Sequence, residues 1–307
     1  MTNPPVCNYE GSDYQKSFWD EGGRAYEDLS EALALKRLLP KSGKLLLELG
    51  AGAGRNTPRY AGYERIVVLD YSATQLAQAQ ERLGVSERYI YVAADIYRLP
   101  FRENLFDGAT MIRALHHMAD APKALAQIYR VLQKDAVFIL EFANKQNLKS
   151  ILRYWLGKQS WNPFALEPVE FVKLNFDFHP TAVKQWLTEL GFAIEQTLAV
   201  SHFRLEMLKR LIPAKFLAAL DGFFQPTGAW LQFTPSVFIK ARRDTPCDKR
   251  AEASPAPTKT HDLFQCPNCG GENLEDKKDH LACPHCGAKW NIQNGIYDFR
   301  EASSNSA

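Results

Sequence analysis

LELGAGAGRN (residues 47–56) sets three glycines at alternate positions, 50, 52 and 54, behind an apolar run that carries Glu48. An apolar strand running into a glycine-rich turn is how α/β proteins receive an adenosine-bearing cofactor at the carboxyl end of a sheet. The dinucleotide fingerprint needs its third glycine three places after the second. Here that place is Arg55, and the third glycine comes one residue earlier. A carboxylate at position 48 repels a pyrophosphate and can pair with an ammonium group instead.

Outward from this turn, short apolar runs alternate with helical patterns. Strands are expected at 44–49, 65–70, 89–93, 106–112 and 136–142. Between them, Ser72 and Gln75 form a capping box ahead of Leu76, Ala79 and Leu83, and Gly84 closes the helix. Asp120 and Pro122 open a second helix with Leu125, Ile128, Tyr129 and Leu132 on one face. Strand–helix alternation with short connections predicts an α/β fold with a doubly wound, mostly parallel sheet. Asp70 then ends the second strand, where a carboxylate can accept both ribose hydroxyls, and Asp95 follows the third, within reach of an adenine amino group. A ligand with adenosine at one end and an amino acid at the other satisfies the set: S-adenosylmethionine.

Residues 44–142 resemble a class I methyltransferase of the broad small-molecule type that includes the quinone-biosynthesis C-methyltransferases. LLLELGAGAGRNT, VVLDYSATQLAQAQ, AADIYRLPF and FDGATMIRALHHMAD carry the resemblance in order and at consistent spacing. It implies a Rossmann-like sheet of seven strands. Glu48, Gly50, Gly52 and Gly54 then surround the methionine end, Asp70 and Tyr71 the ribose, Asp95 and Ile96 the adenine, with Arg113 ending the fourth strand. His116 and His117 are the candidate catalytic residues, since a histidine facing the methyl group can act as general base; in this family type the same step more often positions backbone. Arg24 and Tyr26 fall on an N-terminal segment able to close over the cofactor. Neither an N-P-P-Y box nor a Pro-Cys near the fourth strand is present, which argues against amino-base, glutamine-amide and thiolate-assisted pyrimidine methylation.

Beyond residue 142 the rhythm changes. Residues 144–177 and 203–233 read as two aromatic and aliphatic insertions, separated by a helix and a strand near 192–200, and together form an expected cap over the acceptor site. SVFIKARR, 236–243, reads as a last edge strand. The methyltransferase domain is thus expected to span 1–243, followed by a Pro-rich linker at 244–261 and a cysteine-bearing unit at 262–307.

CPNC and CPHC place Cys266, Cys269, Cys283 and Cys286 in two knuckles, the pattern of four thiolates converging on zinc in a small zinc-ribbon domain. The metal replaces a core that so short a unit cannot build. The tail is similar to the small zinc-ribbon activators of tRNA, ribosomal-RNA and release-factor methyltransferases, through both knuckles and WNIQNGIYDF at 290–299. It departs at Tyr297, where those proteins have Pro. The resemblance implies a ribbon docked on the sheet that stabilises or regulates the catalytic domain in cis.

With 46% hydrophobic and 23% charged residues over 307 positions, the chain is of ordinary globular type, and a formal charge of +2 argues against a dedicated polyanion binder. Residues 247–307 hold 7 basic and 9 acidic side chains, which suits a partner for the body better than an RNA grip. The N-terminus lacks signal-peptide features and no apolar run is long enough to span a bilayer, so a cytoplasmic setting is expected. The expected activity is methyl transfer to a small, fairly apolar acceptor. An RNA or protein acceptor is the alternative, kept open by the ribbon and by Arg204, Lys209, Arg210, Lys215, Lys240, Arg242 and Arg243. A non-catalytic S-adenosylmethionine-binding scaffold or sensor is the third possibility.

Overall fold

The computed structural model describes residues 4–13, 15–244 and 259–303. Helix α1 (Ala25–Leu38) precedes β1 (Gly43–Leu49) and β2 (Tyr63–Asp70), then α2 (Ala73–Leu83), β3 (Tyr89–Ala93), β4 (Phe106–Met111), α3 (Ala121–Val131) and β5 (Leu132–Ala143). The next elements are α4 (Leu148–Trp155), the hairpin β6 (Val169–Val172) and β7 (Asn175–Asp177), α5 (Pro180–Glu189) and β8 (Phe192–Val200). Helices α6 (Glu206–Leu211) and α7 (Ala214–Phe224) lead to β9 (Ser236–Arg243). The C-terminal unit adds β10 (Glu275–Asp276), β11 (His280–Ala282), β12 (Lys289–Gln293) and β13 (Ile296–Asp298).

The central strands run β3-β2-β1-β4-β5-β9-β8, parallel except where β9 lies antiparallel to both of its neighbours. This is a doubly wound, mostly parallel sheet. Strand order reverses between β2 and β4 on either side of β1, which opens a crevice at the carboxyl end of β1. The strands are apolar on both faces because helices cover both: Leu45, Leu47 and Leu49 join the core with α3 and α5, whereas Leu46 joins the core with α1 and α2.

Local signals act as the sequence predicts at two helix starts. Ser72 Oγ accepts from Gln75 N–H at 3.2 Å, and Asp120 Oδ1 accepts from Lys123 N–H at 3.1 Å. The reciprocal half of the capping box does not form, because the Ser72 N–H donates instead to Asp70 Oδ1 at 2.9 Å, while Gln75 Nε2 donates to the Ser12 carbonyl at 3.0 Å. The expected edge strand requires correction. β9 lies inside the sheet between β5 and β8, and β8 is the edge. Its two arginines mimic an edge signature, but they stand at the strand's far end, where Arg242 pairs with Glu195 and Arg243 bonds the Leu132 carbonyl.

The cysteine-bearing unit continues the same sheet. β13 pairs in parallel with β3, matching Ile296, Tyr297 and Asp298 to Tyr91, Val92 and Ala93. Phe299 N–H donates to the Ala93 carbonyl at 2.8 Å, and Gln265 N–H to the Pro100 carbonyl at 3.0 Å. Phe264 is fully buried, stacked 5.7 Å from Phe101 and packed on Tyr297 and Phe299. A β3 edge that would otherwise present unpaired backbone is closed by this strand addition. The predicted linker falls largely on 245–258, outside the described residues.

Candidate functional site

The glycine turn forms the floor of a cavity of about 1050 Å³, its open mouth included, at the carboxyl ends of β1, β2, β3 and β4. Gly50 takes φ +65°, and a Cβ there would lie 2.5 Å from the Ala114 Cβ, so backbone and loop can approach only without a side chain. Gly52, at φ +54°, donates its N–H to Asp70 Oδ2 at 2.8 Å. Asp70 Oδ1 accepts from Ser72 N–H at 2.9 Å. Asp70 lines the cavity, and each of its oxygens can accept more than one hydrogen bond.

Glu48 is 4% exposed and lines the same cavity. Its Oε2 accepts from Thr57 Oγ1 at 2.6 Å. Burial pushes its carboxyl up to about 8, against the pull of Thr57 and Arg55, with Asp70 adding repulsion. A buried carboxyl held this high is one that a cationic ligand would ionise. Glycine turn, Glu48 and Asp70 therefore fit S-adenosylmethionine by the chemistry of the donor set.

The wall on the N-terminal side was not legible in the sequence. Val6, Cys7, Tyr9, Gln15 and Trp19 line the cavity and form its lid. Glu10 clamps the lid to the start of α2, accepting from the N–H groups of Ala73 (3.0 Å) and Thr74 (3.1 Å). Trp19 packs under the Arg55 guanidinium at 3.5 Å, with Arg113 at 5.1 Å. Glu31, fully buried, holds both arginines, Arg55 Nη2 at 2.7 Å and Arg113 Nε at 2.5 Å. Burial raises the Glu31 pKa, yet Arg113 and Arg55 prevail and leave it lowered. Tyr26, for which closing over the cofactor and a place on a helix surface were both open, is buried on α1 against α7 and donates to Asp221 at 3.2 Å. Arg24 lies 4.4 Å over Phe18 and pairs with Glu27.

The remaining sequence candidates divide. Tyr71, Ile96, Arg113 and His117 line the cavity with Glu48, Gly50, Gly52 and Asp70, whereas Gly54, Asp95 and His116 stand outside its lining. Gly54 faces α2, where a Cβ would meet Leu83 at 2.8 Å. Asp95 Oδ1 accepts from Tyr97 N–H at 2.9 Å and opens the short turn Ile96–Arg98. His117 is bonded at both ring nitrogens: Nδ1 faces the Leu174 carbonyl at 3.1 Å and must donate, leaving Nε2 for the Tyr9 hydroxyl at 3.1 Å. Burial holds His117 below its ordinary pKa, and burial, His117 and Arg113 hold His116 well below it. Both rings are therefore neutral near pH 7. Asp177, which no motif marks, is pushed up to about 6 by burial, with Arg204 opposing and Glu141 reinforcing the shift.

The four cysteines converge. Their sulfurs lie within 4.8 Å of one another, with Cys266–Cys286 at 3.7 Å and Cys269–Cys283 at 3.6 Å. A tetrahedral zinc with Zn–S of about 2.3 Å needs sulfurs about 3.8 Å apart, so the donor set fits. Gly270 and Gly287 close the two knuckles in left-handed backbone, at φ +73° and +71°.

From the ribbon, Arg300 reaches the rim of the cofactor cavity. It pairs with Asp298 at 2.6 Å, with Glu10 of the lid at 3.0 Å, and with the Tyr71 carbonyl at 3.3 Å. The ribbon thus touches the lid and the ribose-side loop at once.

Residues 47–140 match the family described as the methyltransferase domain. The chain is 35% identical over 204 residues to 2-phytyl-1,4-naphtoquinone methyltransferase of Nostoc punctiforme, covering 60% of this chain and 86% of that relative. It is 31% identical over 134 residues to the protein of the same name from Nostoc sp., covering 40% of this chain and 58% of that relative. Among solved structures, a chain of the complex between the Haloferax volcanii Trm112 methyltransferase activator and a methyltransferase superposes with a TM-score of 0.52 at 15% identity. That match covers 76% of this chain and 98% of the other, and concerns the fold.

Proposed function

The chain belongs to the S-adenosylmethionine-dependent methyltransferases, and on that premise we propose that it methylates a small, largely apolar acceptor of the quinone class. The observation that carries this is the aromatic and aliphatic makeup of the two insertions above the strand ends, together with the naphtoquinone acceptor in the names of two relatives. When bound, S-adenosylmethionine supplies a methyl carbon already activated on a sulfonium, so alignment and water exclusion are the protein's main tasks. Glu48 would hold the ammonium, with Gly50 and Gly52 giving backbone access. Asp70 and Tyr71 would flank the ribose, and Ile96 the adenine. Arg113, held by Glu31 and by its own N–H to Glu141 at 2.8 Å, fixes the wall between cofactor and acceptor. His117 is a positioning residue, tying the lid's Tyr9 to the hairpin residue Leu174.

The C-terminal unit is, in this reading, a zinc ribbon acting in cis. Cys266, Cys269, Cys283 and Cys286 would hold the metal, which fixes the two knuckles and with them the strand that covers β3. Tethering keeps the ribbon at an effective concentration of about millimolar. An RNA or protein acceptor is the second reading, and the ribbon's likeness to activators of such enzymes favours it.

Purified protein incubated with S-adenosylmethionine and a soluble naphthoquinol lacking the ring methyl tests the assignment. The expected product carries one added methyl group, and Glu48→Gln loses most of the rate. Turnover of a tRNA or protein fraction with no quinol product would overturn it.

A further inference from the structure

Twenty large apolar side chains are exposed among the described residues, and all but Val85 belong to 148–172 or 205–233. They are ordered by element. On α4 and its C-cap, Leu148, Leu152, Trp155 and Leu156 recur at helical spacing and are exposed, while Ser150 and Ile151 are buried. This helix wears its apolar stripe outward, the reverse of a core-packed helix. On α7, Phe216, Leu220 and Phe223 form a second outward stripe, while Leu217, Ala218 and Asp221 anchor the opposite side. Trp230 follows, 81% exposed.

The two insertions meet where they leave the sheet. Ala143, Ser236 and Val200 are in register, so both insertions leave the sheet at the edge that bears the cofactor cavity. Leu148 N–H donates to the Phe233 carbonyl at 2.8 Å, joining the start of α4 to the end of the second insertion. The hairpin of the first insertion reaches His117 through Leu174. An apolar face of this extent on a water-soluble body marks a place where something docks.

Charge identifies the occupant. Residues 144–177 and 203–233 hold 9 basic and 5 acidic side chains, whereas the rest of the chain holds 28 and 30. Lys149, Arg153, Lys158, Lys173, Arg210 and Lys215 are exposed among the apolar stripes. Outward Trp, Phe and Leu edged by Lys and Arg is the composition of segments that lie in a membrane interface and favour anionic lipid. Among the described residues no helix is long and apolar enough to cross a membrane, and the docking considered is to the bilayer surface.

We propose that the two insertions form a docking face for an anionic lipid bilayer, which sets the strand ends and the cavity mouth toward the membrane. The docking face rests on the surface itself. It adds to the functional reading the route by which an apolar acceptor reaches the cofactor.

Sedimentation of the zinc-loaded, full-length protein with phosphatidylglycerol–phosphatidylcholine vesicles, and with phosphatidylcholine vesicles, tests this. Anionic vesicles should bind at least tenfold more tightly. The combined Trp155→Ser, Phe223→Ser, Trp230→Ser variant, and separately Lys149→Glu with Arg153→Glu, should lose tenfold or more. Both variants should keep the wild-type melting temperature and S-adenosylmethionine affinity, readouts independent of acceptor identity. Absence of binding to anionic vesicles would overturn the proposal. So would a self-associated species in ultracentrifugation that the triple variant dissolves, since the stripes would then cover one another.

Discussion

With the proposed role of Glu48, cofactor binding is coupled to pH. Its carboxyl, pushed up to about 8 by burial, is neutral below that pH when no cation is present. Binding a cationic ammonium favours the ionised form, so binding below pH 8 releases a proton and tightens as pH rises toward 8. Calorimetry at pH 6.5 in buffers of differing ionisation heat should register release approaching one proton. Glu48→Gln should remove that release and weaken S-adenosylmethionine at least about tenfold, the loss of a charge-assisted hydrogen bond; unchanged affinity and release would refute the ammonium assignment. Glu48, Gly50, Gly52 and Asp70 were readable as neighbours in the sequence because they stand at the carboxyl ends of two adjacent strands, β1 and β2. Trp19, Glu31 and the partners of His117 were not, because they meet across 24 to 108 residues of chain. Nothing local marks a histidine whose two nitrogens are both taken.

The parallel strands of the central sheet were legible from apolar runs and their spacing. β9 was read as an edge strand and lies inside the sheet, since strand patterning reports burial of faces and says little about neighbours in the sheet. The lid was harder still, because it is held by contacts with α2 and with the C-terminal unit, both far away in sequence. Glu10 receives the start of α2 on one side and Arg300 on the other, and Arg300 also holds the Tyr71 carbonyl. From this follows a link between ribbon and cofactor affinity. Arg300→Ala should weaken S-adenosylmethionine several-fold with a small change in melting temperature. Stripping zinc with a chelator should do both, lowering the melting temperature as the β3 edge and Phe101 lose their cover. If chelation left melting and cofactor affinity as they were, the ribbon would be neither a stabiliser nor a regulator.

At the scale of the whole molecule, the sheet joins three working regions. The ribbon extends one end, the cofactor cavity opens at the strand reversal near the middle, and the insertions rise from β5, β8 and β9 at the other end. Net charge of +2 hides a division between insertions carrying a net +4 and a remainder carrying a net −2. Composition could not display the apolar, cationic face, which exists only after α4 and α7 turn their stripes outward. The destination of the methyl group is the central claim. It is tested most directly by giving methyl-labelled S-adenosylmethionine and the protein to a cell extract and separating lipid, RNA and protein. The account predicts label in a quinone-type lipid, with most of it lost for Glu48→Gln; label confined to RNA or protein would contradict it.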